Sequence, residues 1–310
     1  MIESKTSAEA IAYVELSVAP GDIALIEDVV GRLELTCASW ASVESRYAQV
    51  WVFVDSAAAA ERACGLIAAD LVARADLFQG PVPTPRVTSQ RSEDWAHSWQ
   101  RHFPAFRASR RLVLKPSWAS WATGPDDIVL DLDPGMCFGT GYHGTTRACL
   151  EFMDDLAARL GPVSFLDVGC GSGILSLAAA RLGFRPIVAF DHDPQAVQTA
   201  RDNLAKAGQA ELDPRVADLA DYAPPQRFRV IAANVLATVL VEYRHRIYAW
   251  LEVGAAPAYL ILSGIETEQY PRLRDAFVEL GCAELACRTL DEWTSGCFEA
   301  CSTTPRAGHL

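Results

Sequence analysis

The sequence predicts an α/β fold, a mainly parallel sheet covered by helices on both faces, preceded by a smaller α+β unit. Three observations predict it. From about residue 164, apolar runs of strand length alternate with helix-length segments. A glycine-rich turn joins the first run to its helix, and a proline-rich stretch separates this region from an amino-terminal segment with strands and helices of its own. At 310 residues the chain has length for about two domains. Neither needs a disulfide or a metal to fold.

Half the residues are apolar and 21% are charged, which excludes disordered, collagen-like and low-complexity chains. The net charge of -12 sets up a field that repels a phosphate backbone, so no direct nucleic-acid partner is expected. The opening MIESKTSAEAIAYVELSV lacks the layout of a secretory signal, and no stretch of about twenty uncharged apolar residues occurs. A cytoplasmic location without membrane attachment is the expectation. The nine cysteines are odd in number, scattered and without a CxxC pair, so they are expected to be reduced and mostly buried. The group Cys282, Cys287, Cys297 and Cys301 lacks the paired spacing and the histidine of a zinc site, and no metal is expected.

Taken in order, residues 10–18 and 46–54 have strand character, rich in valine and tyrosine. DIALIEDVVGRL places Ile23, Ile26, Val29, Val30 and Leu33 on one helical face, and the alanine-rich run from Ser56 to Ala75 is a strong helix former. Residues 1–78 are therefore assigned to the first unit. Residues 80–92 contain Pro81, Pro83 and Pro85, which forbid a helix or a central strand, so this stretch is the expected linker. A short helix capped by Ser92, with Trp95 and Trp99 on one face, completes a linker region of 79–110. The remainder, 111–310, carries SFLDV, GILSLAAARLG, PIVAF, PQAVQTARDNLAKAG, RVIAANV, TVLVEYRHRIYAWLE and AYLILSG, the alternating series of a parallel sheet. Ligands of such sheets bind beyond the carboxyl ends of the strands.

The chemistry sits at those ends. Asp167-Val168-Gly169-Cys170-Gly171-Ser172-Gly173 is a DxGxGxG turn that opens a helix, and its glycines let a ligand approach bare backbone near unpaired N–H groups. Ile174 stands where the dinucleotide fingerprint needs its third glycine, and the loop lacks the GK[ST] ending of a P-loop. The spacing instead resembles the first motif of class I S-adenosylmethionine-dependent methyltransferases. The strand PIVAF ends at Asp191, whose carboxylate can accept from two vicinal ribose hydroxyls. Asp193, before Pro194, suits a helix cap. Asp218 is equally well a solvated loop acid and is left outside the site. Asn234, at the end of a further strand, offers an amide that can face methyl donor or acceptor, or make an Asx turn. In the loop DLDPGMCFGTGYHGTT, Thr145 and Thr146 could cap the next helix or bond a ligand, and His143 is expected to bond within the loop rather than act as a base.

These segments together resemble the PrmA-type ribosomal protein L11 methyltransferases over nearly the whole chain. The resemblance rests on EDWAHSW with FPAF, LDPGMCFGTGYHGTT, FLDVGCGSGILSLAAARLG, AFDHDPQAVQTARDN, and ANVLATVL with LILSGI, in that order. It implies a class I Rossmann-like catalytic domain behind a ferredoxin-like amino-terminal domain that grips the substrate protein. It implies S-adenosyl-L-methionine as cofactor, held by Thr146, Gly169, Asp191 and Asn234, with Gly171 and Gly173 completing the turn. The sequence departs from the family at Tyr142 and Gly144, where Thr and Pro are usual, and at Gln100, where lysine is common.

The implied reaction is methyl transfer to lysine side chains or an N-terminal amine of a large-subunit ribosomal protein, by a monomer. Asn234 would orient the amine while Phe138 in the glycine loop covers the site and excludes water. Two alternatives stay open on the sequence: another acceptor, whether protein, small molecule or RNA, and a noncatalytic adenosine-ligand-binding assembly factor.

Overall fold

The structure is a computed structural model and describes residues 10–33, 35–40, 47–78, 80–91, 103–133, 143–290 and 292–301. The chain divides into two compact units, residues 1–103 and 104–310.

In the first unit, β1 (Ala10–Val18), α1 (Ile23–Arg32), β2 (Thr36–Trp40), β3 (Ala48–Phe53), α2 (Ala57–Ala73) and β4 (Arg86–Arg91) follow one another as βαββαβ. The sheet is antiparallel in the order β2-β3-β1-β4, a ferredoxin-like arrangement. Ser56 caps α2 by accepting from the Ala59 amide. Ile26, Val29 and Val30 of α1 meet Ile67 and Leu71 of α2 and the inward-facing Val14, Leu16, Val50 and Val52 of the strands. Each large aliphatic side chain buried here contributes about 1.5–3 kcal/mol.

One expectation is corrected in this unit. Part of the stretch read as linker, Arg86–Arg91, is the edge strand β4, paired along β1 from Ala10↔Arg91 to Glu15↔Arg86. Pro81, Pro83 and Pro85 all precede the strand, so no ladder hydrogen bond is lost to them. The expected helix with Trp95 and Trp99 lies outside the described residues.

The second unit begins with a three-stranded sheet that the sequence reading did not contain, β5 (Phe106–Arg107), β6 (Leu112–Lys115) and β7 (Ile128–Asp131). After it come α3 (Gly144–Leu160), β8 (Phe165–Val168), α4 (Ile174–Leu182), β9 (Ile187–Asp191), α5 (Pro194–Lys206), β10 (Arg215–Val216) and β11 (Val230–Asn234). The chain continues through α6 (Ala237–Glu242), α7 (Arg244–Ala249), β12 (Ala258–Glu266), α8 (Tyr270–Val278), β13 (Cys282–Leu290) and β14 (Trp293–Ala300). The large sheet runs β10-β9-β8-β11-β12-β14-β13, parallel except where β14 joins β12 and β13.

Alternation along the central strands explains their unbroken apolar sequences. Phe165, Val230, Ala232, Tyr259 and Ile261 face the core under α3, α4 and α5, while Leu166, Ile231, Ala233, Leu260 and Leu262 face the core under α6, α7 and α8. The segment TVLVEYRHRIYAWLE is two short helices rather than one, broken at Tyr243, so that Leu240 and Ile247 both reach the second core. The order of strands reverses between β8 and β11, and this switch point is where the site forms.

Candidate functional site

The turn after β8 is built on glycines with left-handed backbone: φ is +69° at Gly169, +51° at Gly171 and +81° at Gly173. Space also demands glycine, because a Cβ on Gly169 would lie 2.5 Å from Cγ1 of Val235. Val235 wedges the other side too, for a Cβ on Gly264 (φ +80°) would meet its carbonyl oxygen at 2.6 Å. No side chain caps α4 at Gly173, whose own amide turns back onto the Cys170 carbonyl at 2.8 Å.

Asp191 ends β9 beside this turn. Its Oδ2 accepts from the Gly171 amide at 2.9 Å and its Oδ1 from the Asp193 amide at 3.0 Å, so the carboxylate is held at both oxygens. A carboxylate has about four acceptor positions: Oδ2 retains one, and on Oδ1 the second faces Nδ1 of the exposed His192 at 3.3 Å, a contact that a ligand hydroxyl would displace. One position on each oxygen is the requirement for a pair of vicinal hydroxyls. Asp193 caps α5 through the Gln195 amide at 2.8 Å, with Pro194 in the first turn, as the sequence predicts. Asp218 is exposed and accepts from the Ala220 amide at 2.7 Å, a local turn.

Across the switch point, Asn234 ends β11. Its Nδ2 donates a long hydrogen bond, 3.4 Å, to Oγ1 of the buried Thr146, while its Oδ1 is buried and has no hydrogen-bond partner among the described residues. Burying an unpaired amide oxygen is costly, and a bound donor would remove the cost. Thr145 and Thr146 do not cap α3. His143 does, through Nδ1, which takes the Thr145 amide at 3.4 Å and lies 2.8 Å from Thr145 Oγ1. With Nδ1 accepting, its lone pair is spent on the loop. The edge of the ring packs against Trp293. A side chain on Gly144 would lie 2.9 Å from Cβ of Leu290, which gives that departure from the family pattern a steric basis.

Thr146, Gly169, Gly171, Gly173, Asp191 and Asn234 thus gather at the ends of β8, β9 and β11. Phe138, Cys137, Tyr142 and Gln100 lie outside the described residues, as does the carboxyl-terminal tail. Of the remaining cysteines, Cys149, Cys170, Cys282 and Cys297 are buried, Cys37 and Cys64 half-buried, and Cys287 and Cys301 exposed, all as free thiols.

The sequence reading gave no role to Asp167, the first residue of the motif. It is fully buried, accepts from Ser176 Oγ at 2.7 Å through Oδ2, and leaves Oδ1 without a hydrogen-bond partner among the described residues. Burial, opposed by the Ser176 hydrogen bonds and aided by the charge of Asp191, pushes its carboxyl up to about 7. A folded-state value above the unfolded one means that folding takes up a proton between about pH 4 and 7. Stability therefore falls as pH rises through that window and levels off above it. Asp167→Asn, which keeps an oxygen for Ser176, is expected to flatten this slope in urea denaturation at pH 4.5 and 7.5, and identical slopes in both proteins would contradict the assignment.

The family model for ribosomal protein L11 methyltransferase (PrmA) matches residues 36–300. The chain belongs to this family. It is 44% identical over 214 residues to the ribosomal protein L11 methyltransferase of Geobacter sulfurreducens, covering 69% of each chain. It is 45% identical over 222 residues to that of Geobacter metallireducens, covering 71% of this chain and 70% of the relative. Among solved structures, the ribosomal protein L11 methylase of Lactobacillus delbrueckii subsp. bulgaricus aligns with a TM-score of 0.57 at 27% identity, over 64% of this chain and all of that one.

The architecture is accordingly that of a class I methyltransferase, and S-adenosylmethionine is the cofactor of this methyltransferase family. The residues present fit it: bare backbone at the glycine turn, spare acceptor capacity on Asp191, and an unsatisfied oxygen on Asn234.

Proposed function

We propose that this PrmA-family chain methylates amines of ribosomal protein L11, lysine side chains or the amino terminus, in the cytoplasm and as a monomer. The family match and the relatives' names support the acceptor protein. The observation that carries the amine chemistry is the buried, unpartnered Oδ1 of Asn234. Bound S-adenosylmethionine supplies an electrophilic methyl carbon on a sulfonium. The acceptor must arrive as a free amine, since an ammonium has no lone pair to attack with. Lysine in water titrates near 10.4, so the site has to favour the neutral form. A neutral amide oxygen does this better than a carboxylate would. It accepts one N–H and aims the lone pair without the opposite charge that would stabilise an ammonium.

In this reading Asp191 holds the ribose hydroxyls, and the side-chain-free Cα positions of Gly169, Gly171 and Gly173, whose amides are committed to Phe190, Asp191 and Cys170, line the cofactor's path. Thr146 joins Asn234 on the opposite wall, and Phe138, outside the described residues, is assigned the exclusion of water on its sequence position alone. Water takes the departing proton before closure, so no dedicated base is required, in keeping with a His143 ring committed to capping. The first unit grips the substrate protein. Incubating the enzyme with methyl-labelled cofactor and ribosomal protein L11 is expected to place label on lysine or amino-terminal amines in proteolytic peptides. Label that enters RNA instead, or no label at all, would overturn the proposal.

A further inference from the structure

Beside Asn234 lies a buried polar chain. Ser263 sits opposite Asn234 in the register of β11 with β12. There β12 carries a bulge against β14: Leu262 pairs with Gly296 and Ile265 with Thr294, so Ser263 and Gly264 together oppose Ser295. Such bulges re-aim a side chain. The Oγ of Ser263 lies 3.1 Å from the carbonyl oxygen of Thr145 in the first turn of α3, and 2.6 Å from Oγ of Ser295. Both serines are fully buried.

Donor arithmetic gives the chain a direction. A carbonyl can only accept, so the single proton of Ser263 goes to Thr145, and Ser295 must then donate to Ser263. The interior strand β12 is therefore tied to the start of α3 at Thr145, one residue before the Thr146 hydroxyl that meets Asn234.

We propose that Ser263, oriented by Ser295, is a positioning residue that sets the first turn of α3 at the height where Thr146 meets Asn234 and the cofactor. The inference rests on the reading of Thr146 as a cofactor contact. It is tested by calorimetric binding of S-adenosylmethionine to the full chain and to Ser263→Ala, Thr146→Val and their combination, with the thermal midpoint of each.

Ser263→Ala is expected to weaken binding about fivefold, the worth of one neutral hydrogen bond. In the Thr146→Val background it is expected to add less than about twofold, because the group it positions is gone. Full additivity, or a Ser263→Ala protein with lowered thermal midpoint and unchanged affinity, would overturn the proposal. Ser295→Ala leaves the Ser263 proton on Thr145, so its effect is expected to be smaller and likewise lost beside Thr146→Val. It carries the same cycle should Ser263→Ala fold poorly. Unchanged binding in Thr146→Val alone would sink the contact reading, whereas weakened binding with additive serine effects would sink only the positioning role.

Discussion

Asp191→Ala is expected to weaken S-adenosylmethionine binding by roughly a hundredfold or more. The two hydroxyl hydrogen bonds assigned to its carboxylate are charge-assisted and contribute about 1.5 kcal/mol or more each, and each 1.4 kcal/mol is about tenfold in affinity. The substitution also strips the Gly171 and Asp193 amides of their acceptor, so the glycine turn loses an anchor as well. Asp191→Asn, with one carbonyl oxygen left, should fall between alanine and the native chain. Calorimetry measures both directly. Unchanged affinity in the alanine variant would remove the ribose role.

Removing the first unit, residues 1–103, is expected to leave cofactor affinity unchanged while lowering methylation of ribosomal protein L11 about a hundredfold or more, the scale on which a second tethered contact raises affinity. Cofactor binding should survive because the two units have separate cores. The first is closed by α1, α2 and the strands β1 and β3, and the second lies on the two faces of the large sheet. The cut belongs at the end of the unit rather than at residue 78, since a cut at 78 would strand β4 without β1. Full activity of the 104–310 fragment on the intact protein would refute the gripping role.

The parts of the site that were legible in the sequence are those where local geometry dictates the residue. Positive φ with no room for a Cβ requires glycine at 169, and a helix that begins with proline favours the Asp193 cap. Asp191 was legible because strand length and the following cap fix where β9 must end. Long-range pairing was not legible. Ser263 and Ser295 meet only because β14 returns antiparallel beside β12, and nothing near either serine announces the other. Strands as short as Phe106–Arg107 show too little alternation to be recognised, and the prolines ahead of β4 disguised an edge strand as linker. The isolation of Asp167 was hidden for a different reason. Its neighbours in sequence are a ligand turn, and only the packing of α4 reveals that the carboxylate points into the core to Ser176.

A crystal structure of the full chain with S-adenosylhomocysteine, the demethylated cofactor, tests the central claim most directly. The account predicts both ribose hydroxyls on the Asp191 carboxylate, the amino-acid tail along the Gly169–Gly173 turn, and the sulfur facing Asn234. A ligand bound elsewhere on the chain, or seated there with its ribose turned away from Asp191, would contradict it.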